Sequence, residues 1–154
     1  MEKIVPCLWF GDNNCEEAVN YYITVFPNSS IDELAKYPDE SLNENFVGMS
    51  GKVLTAVFRL NGQKFIALDG GPYFHFSEAI SFMIECKDQD EIDYYWEKLS
   101  HVPESEQCGW VRDRFGLSWQ IVPANMKDLM MTDKQIQAMM SMKKIIIKDL
   151  EDAK

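Results

Sequence analysis

The chain has 154 residues, 46% of them apolar, with four Trp, nine Phe and six Tyr, and a formal net charge of −10. That composition can bury a core, which excludes a disordered polymer and leaves one domain or two small halves. The charge excludes a nucleic-acid partner, because no clustered Lys/Arg is available to neutralise phosphates, and no apolar run approaches the 18 residues of a membrane span.

Read from the first residue, "MEKIVPCLWF" lacks the charged start and long apolar core of a signal peptide, so a cytoplasmic protein without a membrane partner is expected. "IVPCLWF" reads as a short apolar strand, followed by a polar turn at Asp12 and an amphipathic helix. Cys15, Ala18, Val19, Tyr22 and Phe26 recur at the spacing of one buried helix face. "SIDELAKY", "GKVLTAVFRL" and "QKFIALDGG" follow as three strand-like runs. The Asn-Gly within "LNGQ" signals a two-residue hairpin, since both residues accept the positive φ that such a turn needs.

"GGPYFHFSEA", residues 70 to 79, is the linker, and after it the same plan begins again. "ISFMIEC" is a strand, Asp88 lies in the turn, and Ile92, Tyr95, Trp96 and Leu99 form a helix face. "CGWVRD" and "LSWQIVP" are strands joined through Arg114, Phe115 and Gly116, where Asp113 is ordinary turn chemistry. The second copy lacks most of one strand. A repeated unit too small to fold alone implies that the copies pack together. The chain is therefore α+β: two β-α-β-β-β modules, residues 1–72 and 73–130, packing as one domain. A tail at 131–154 reads as one amphipathic helix with Ile136, Met139, Met140, Ile146, Ile147 and Leu150 on its apolar side, opened by a capping box at Thr132 and Gln135. The four cysteines (Cys7, Cys15, Cys86 and Cys108) form no C-x-x-C pair and stand in apolar contexts, where buried reduced thiols are expected.

The paired modules resemble the vicinal oxygen chelate superfamily, which includes glyoxalase I, bleomycin-resistance proteins and extradiol dioxygenases. More narrowly, "LWFGDNNCEEAVNYY", "FIALDGGPYFHFSEAISFMIEC" and "CGWVRDRFGLSWQIVP" resemble its PhnB-like branch, often labelled demethylubiquinone methyltransferase-like. The similarity spans roughly residues 3 to 130 and departs at "SHVPESEQ", where relatives carry a Gly-Gly turn. It implies incomplete barrels whose concave faces line a pocket, and four metal-ligand positions in the metal-dependent members. Those positions fall here at Val5 or Pro6, Ile66, Ser81 and Gln120. A divalent ion in such a site takes several His or Glu ligands, so neither a metal nor another cofactor is expected.

By strand alternation Ser118 and Gln120 share a face opposite Leu117, Trp119 and Ile121. With Trp9, Ser81 and Met83 they are the expected ligand-binding residues: an apolar lining with a few neutral polar groups, suited to a small apolar or aromatic ligand. Trp110 and Trp119 are expected in a core or an interface. His75, Glu85 and Asp69 are the catalytic candidates. The plainer reading makes His75 a structural residue among aromatics and the two acids solvated strand-end carboxylates. No G-x-S-x-G, P-loop or H-E-x-x-H motif is present. "LDGGPYF" ends an antiparallel meander, whereas a nucleotide-type methyl donor wants a Gly-rich turn between a parallel strand and a helix, so methyl transfer is not expected. Two classes stay open, a metal-free binding protein and an enzyme of lyase, isomerase or dioxygenase type with a non-standard site. The missing strand and a Met- and Ile-rich tail in need of cover point to a homodimer.

Overall fold

The structure, a computed structural model, describes residues 2–154. The chain divides into two compact units, Met1–His75 and Phe76–Lys154. It is α+β, built from a β-α-β-β-β unit and a second unit of the same plan that lacks one strand, and their sheets of four and three strands do not close.

In the first unit β1 (Cys7–Phe10) leads into α1 (Cys15–Val25), followed by β2 (Ser30–Lys36), β3 (Val53–Leu60) and β4 (Gln63–Asp69). The strand order is β1-β4-β3-β2, with β1 parallel to β4 and the other pairs antiparallel. The expected helix face is the observed one: Cys15, Ala18, Val19, Tyr22 and Phe26 are all buried. They pack with Leu8, Phe10, Ala56, Phe58, Phe65 and Ala67 in the unit's core, where the Phe58 and Phe65 rings stack at 5.4 Å. The β3–β4 hairpin turns at Asn61 (φ 50°) and Gly62 (φ 83°), the left-handed pair its sequence calls for. Residues 37–52 carry two short 3-10 turns, capped by the side chains of Asp39 and Asn43.

The second unit runs β5 (Phe82–Cys86), α2 (Gln89–Leu99), β6 (Trp110–Arg112) and β7 (Ser118–Pro123), in the order β5-β7-β6. Ile92, Tyr95 and Leu99 of α2 are buried, as are Val111, Trp119 and Ile121 of the sheet. Where the first unit has β2, the second has only a 3-10 turn at Pro103–Ser105 and a single bridge from Gln107 to Trp110. The short strand count of the second module is therefore real.

The tail corrects the sequence reading. It forms two helices, α3 (Asp133–Met140) and α4 (Ile147–Asp152), with the chain non-helical between them. Tertiary hydrogen bonds take the backbone that a continuous helix would use. Cys108 N–H donates to the Met142 carbonyl and Gly109 N–H to that of Lys143, both at 2.8 Å. Gln89 of α2 bridges the break, donating to the Ile145 carbonyl at 3.0 Å and accepting from Ile147 N–H at 2.8 Å. Consequently Ile145 is buried with Leu129 and Leu150, while Met140, expected on the apolar side, is exposed. The capping box at Thr132 and Gln135 is present, and buried Gln135 also donates to the Leu150 carbonyl at 3.0 Å, tying α3 to α4.

Candidate functional site

At the end of the first sheet where β1 and β4 finish, Trp9, Leu54 and Leu68, with the 37–52 segment and the Gly70–Gly71 loop, border a cavity of about 320 Å³. Aromatic rings make much of its wall. Tyr37 and Phe46 meet edge to face at 5.7 Å, and Tyr73 contributes from the loop. Trp9 is fixed from two sides, its indole N–H donating to the Gly71 carbonyl at 2.9 Å and its ring meeting Phe74 edge to face at 4.9 Å. Gly70 explains part of the "DGGP" sequence. A Cβ there would stand 2.1 Å from the Trp9 ring, so only glycine admits the indole.

Asp69, the last residue of β4, also lines this cavity. It is buried, which corrects the plainer expectation of a solvated strand-end acid. The cause lies 54 residues away. The N-cap of α1, Asn14, makes no side-chain hydrogen bond, and Asp69 Oδ1 accepts from the Cys15 N–H at 2.9 Å in its stead. A carboxylate at a helix N-terminus is favoured by both the open N–H groups and the dipole. Even so, burial holds its pKa above the ordinary carboxylate value, outweighing the Cys15 hydrogen bonds, and nearby Glu16 adds in the same direction. Burial, with Asp69 beside them, also raises the Cys15 thiol and the Tyr37 phenol. Neither titrates near neutrality, and the buried Cys15 thiol is inert.

In the second unit the polar residues of β7 have found partners. Gln120 Nε2 donates to the Ser81 hydroxyl at 2.9 Å. Gln120 pairs in register with Met83 on one side and Trp110 on the other. Ser81, Met83, Trp110 and Gln120 thus share the sheet face opposite α2. Met83 is 55% exposed and Trp110 half-buried there, whereas Trp119 is in the core as expected. Ser118 is on the same side of β7 but is buried, opposite Arg112, which pairs with Glu78. Trp9 belongs to the first unit, apart in sequence from these four.

His75 and Glu85, the other catalytic candidates, are exposed, and so is His101. Cys15 and Cys86 are the buried thiols expected, but Cys7 is exposed on β1 and Cys108 half-buried at a left-handed turn position (φ 50°). Asp113 is fully engaged as a turn residue, accepting from the Phe115 and Leu117 amides and from the Trp119 indole.

The positions that hold a metal in the resembled superfamily do not fit one here. In the first unit Pro6 and Ile66 are joined by backbone, Ile66 N–H to the Pro6 carbonyl at 2.9 Å, and offer no side-chain donor atom. In the second, the Ser81 hydroxyl and Gln120 amide are turned toward each other. Among the described residues no group of three or more His, Cys, Asp or Glu is placed to hold an ion. No described helix is long and apolar enough to cross a membrane.

Comparison with known proteins adds the following. A family model described as 3-demethylubiquinone-9 3-methyltransferase matches residues 2–122. Among solved structures, a PhnB protein from Bacillus cereus, for which the same methyltransferase name is provisional, is 34% identical. It covers 79% of this chain and 99% of its own, at a TM-score of 0.63. A Pseudomonas aeruginosa protein of 19% identity covers 80% of this chain and 98% of its own at 0.59. A gene product of Arabidopsis thaliana, 18% identical, covers 79% and 98% at 0.50. These last two likenesses concern the fold alone. No curated protein matches the chain.

Proposed function

This chain belongs to the 3-demethylubiquinone-9 3-methyltransferase family, in its PhnB-like branch, and from that premise we propose that it is a metal-free binding protein for a small apolar or aromatic molecule. The observation that carries the reading is the first unit's cavity, where Trp9, Tyr37, Phe46 and Tyr73 border a space of about 320 Å³, with Asn13, Asn45 and Asp69 as its polar side chains. Pockets of that kind bind through aromatic area and take their orientation from single polar contacts. On the second unit's own open face, Gln120, Ser81 and Met83, with Ser118 on the same side of β7, form a separate surface with neutral polar groups.

The family's methyltransferase name is not carried over to this chain. Its Gly-Gly sequence serves Trp9, as the 2.1 Å approach at Gly70 indicates, rather than a nucleotide phosphate or sugar. The second reading, an enzyme of lyase or isomerase type, is favoured by one observation: Asp69, a buried acid with a raised pKa, stands in the cavity wall. It requires Asp69 to exchange a proton with the ligand, so turnover would vanish in Asp69→Asn while binding of a neutral ligand persisted.

A thermal-shift screen of small aromatic and heteroaromatic compounds tests the binding reading. A hit should raise the unfolding temperature and bind Trp9→Leu at least about tenfold more weakly, a difference of about 1.4 kcal/mol. Hits that ignore the Trp9 change would refute the placement of the site. Metal analysis after purification without chelator should find no stoichiometric zinc, nickel, iron or manganese surviving dialysis; finding one would overturn the metal-free part. The protein is further proposed to act as a homodimer in the cytoplasm, with no nucleic-acid or membrane partner.

A further inference from the structure

We infer that the first unit's cavity selects organic cations: an aromatic or alkyl ammonium whose charge is held by Asp69 and the surrounding rings. This rests on the binding reading above and names its ligand class. Among the described residues lining the cavity, Asp69 is the one Asp, Glu, Lys, Arg or His, so the wall carries a single formal charge, negative, beside the α1 N-terminus that it caps. Glu16, close enough to raise the pKa of Asp69, adds to that potential. Among the described residues no cationic side chain pairs with Asp69; its partners are the N–H and the thiol of Cys15.

The rest of the wall suits a cation as well. Trp9, Tyr37, Phe46 and Tyr73 line one space, and aromatic rings attract ammonium groups. The rigid elements are in place before any ligand arrives. Trp9 is locked by Gly71 and Phe74, Tyr37 and Phe46 brace each other, and Asp69 is anchored by the helix it caps. A buried acid that gains a cationic neighbour recovers part of what burial cost it. A neutral ligand gives no such return and an anion is repelled.

Four probes of similar size separate the cases at neutral pH: benzyltrimethylammonium, benzylamine, benzyl alcohol and benzoate. Each is titrated into the whole protein by calorimetry and Trp fluorescence. The two cations should bind at least about tenfold more tightly than benzyl alcohol, with benzoate weakest. In Asp69→Asn, which keeps an oxygen to accept the Cys15 N–H, the cation preference should collapse while benzyl alcohol binds as before. Equal binding of cation and alcohol to the unaltered protein would overturn the cation inference and leave the aromatic-ligand reading standing. Failure of all four at millimolar concentration would count against both. The comparison among probes needs no variant, so it decides the matter even if Asp69→Asn folds poorly.

Discussion

Asp113 is the residue whose removal should hurt the fold most for its size. It is 2% exposed, and both of its carboxylate oxygens accept hydrogen bonds. Oδ1 accepts from Phe115 N–H at 2.8 Å and Leu117 N–H at 3.0 Å, and Oδ2 from the Trp119 indole N–H at 2.8 Å. In Asp113→Ala the Phe115 amide can turn to water, but the Leu117 and Trp119 donors are buried and left unpaired. Each such orphan costs about 1–3 kcal/mol, so the two together should remove about 2–6 kcal/mol. That is a large part of the roughly 5–15 kcal/mol on which a domain's folding rests. Asp113→Asn should lose less, because its carbonyl oxygen still serves the two amides and only the Trp119 N–H meets a donor. Denaturant titration measures both: the midpoint should fall in the order wild type, Asn, Ala with an unchanged slope. An alanine variant within about 0.5 kcal/mol of wild type, or an asparagine variant worse than alanine, would refute this account of the Asp-x-Phe-Gly-Leu-x-Trp sequence.

Four further outcomes are expected. Gly70→Ala should force the Trp9 indole out of place, costing about 1–3 kcal/mol as overpacking does, and any ligand of the cavity should bind more weakly by titration. Gln120→Leu should leave the unfolding midpoint nearly unchanged; if a hit from the compound screen uses this face, its affinity should fall by about 1–3 kcal/mol through the lost polar contact. Sedimentation at micromolar concentration should give about twice the 17.8 kDa chain mass, and a clean monomer would refute the homodimer. For pH, the folded pKa of Asp69 lies above its ordinary 3.8, so the folded state holds its proton longer than the unfolded one. Stability should therefore decline as pH rises from about 4 through the folded pKa, and Asp69→Asn should flatten that decline, read as the unfolding midpoint against pH.

Local pattern made the elements legible. Helix faces repeat every three to four residues and hairpins announce themselves by Asn-Gly, so α1, α2 and the β3–β4 turn stand where periodicity puts them. What was not legible is what depends on partners distant in sequence. Asp69 looks like any strand-end acid until Cys15, 54 residues earlier, is seen to lack a cap of its own. The tail looks like one helix until Cys108, Gly109 and Gln89 claim the backbone at residues 142–147. Tyr37 and Phe46 lie in a stretch with little periodic signal, so the cavity wall they form was missed; the aromatic pair framing a polar loop was the available hint. Gln120 stood out in the sequence as a polar residue within an apolar strand, and the structure pairs it with Ser81, named in the same set.

The repeat itself explains why the two units are chemically unlike. Matching the registers Cys7–Ile66 and Met83–Gln120 sets Asp69 of the first unit against Pro123 of the second, and Ile66 against Gln120. In the second unit Asp88 caps α2 locally, accepting from Glu91 N–H at 2.9 Å. Its last strand has no cap to provide, and a proline suffices there. In the first unit Asn14 caps nothing, so the carboxylate must come from the strand end, where it also meets the cavity. The second unit instead places its polar group three residues earlier, at Gln120, which by strand alternation lies on the open sheet face. Each copy has thus kept a single polar anchor at a different level of the same scaffold: one is charged and buried against rings, the other neutral and paired to a hydroxyl. A fold that repeats its backbone need not repeat its chemistry, and in this chain the half with a buried acid in its cavity wall is the first.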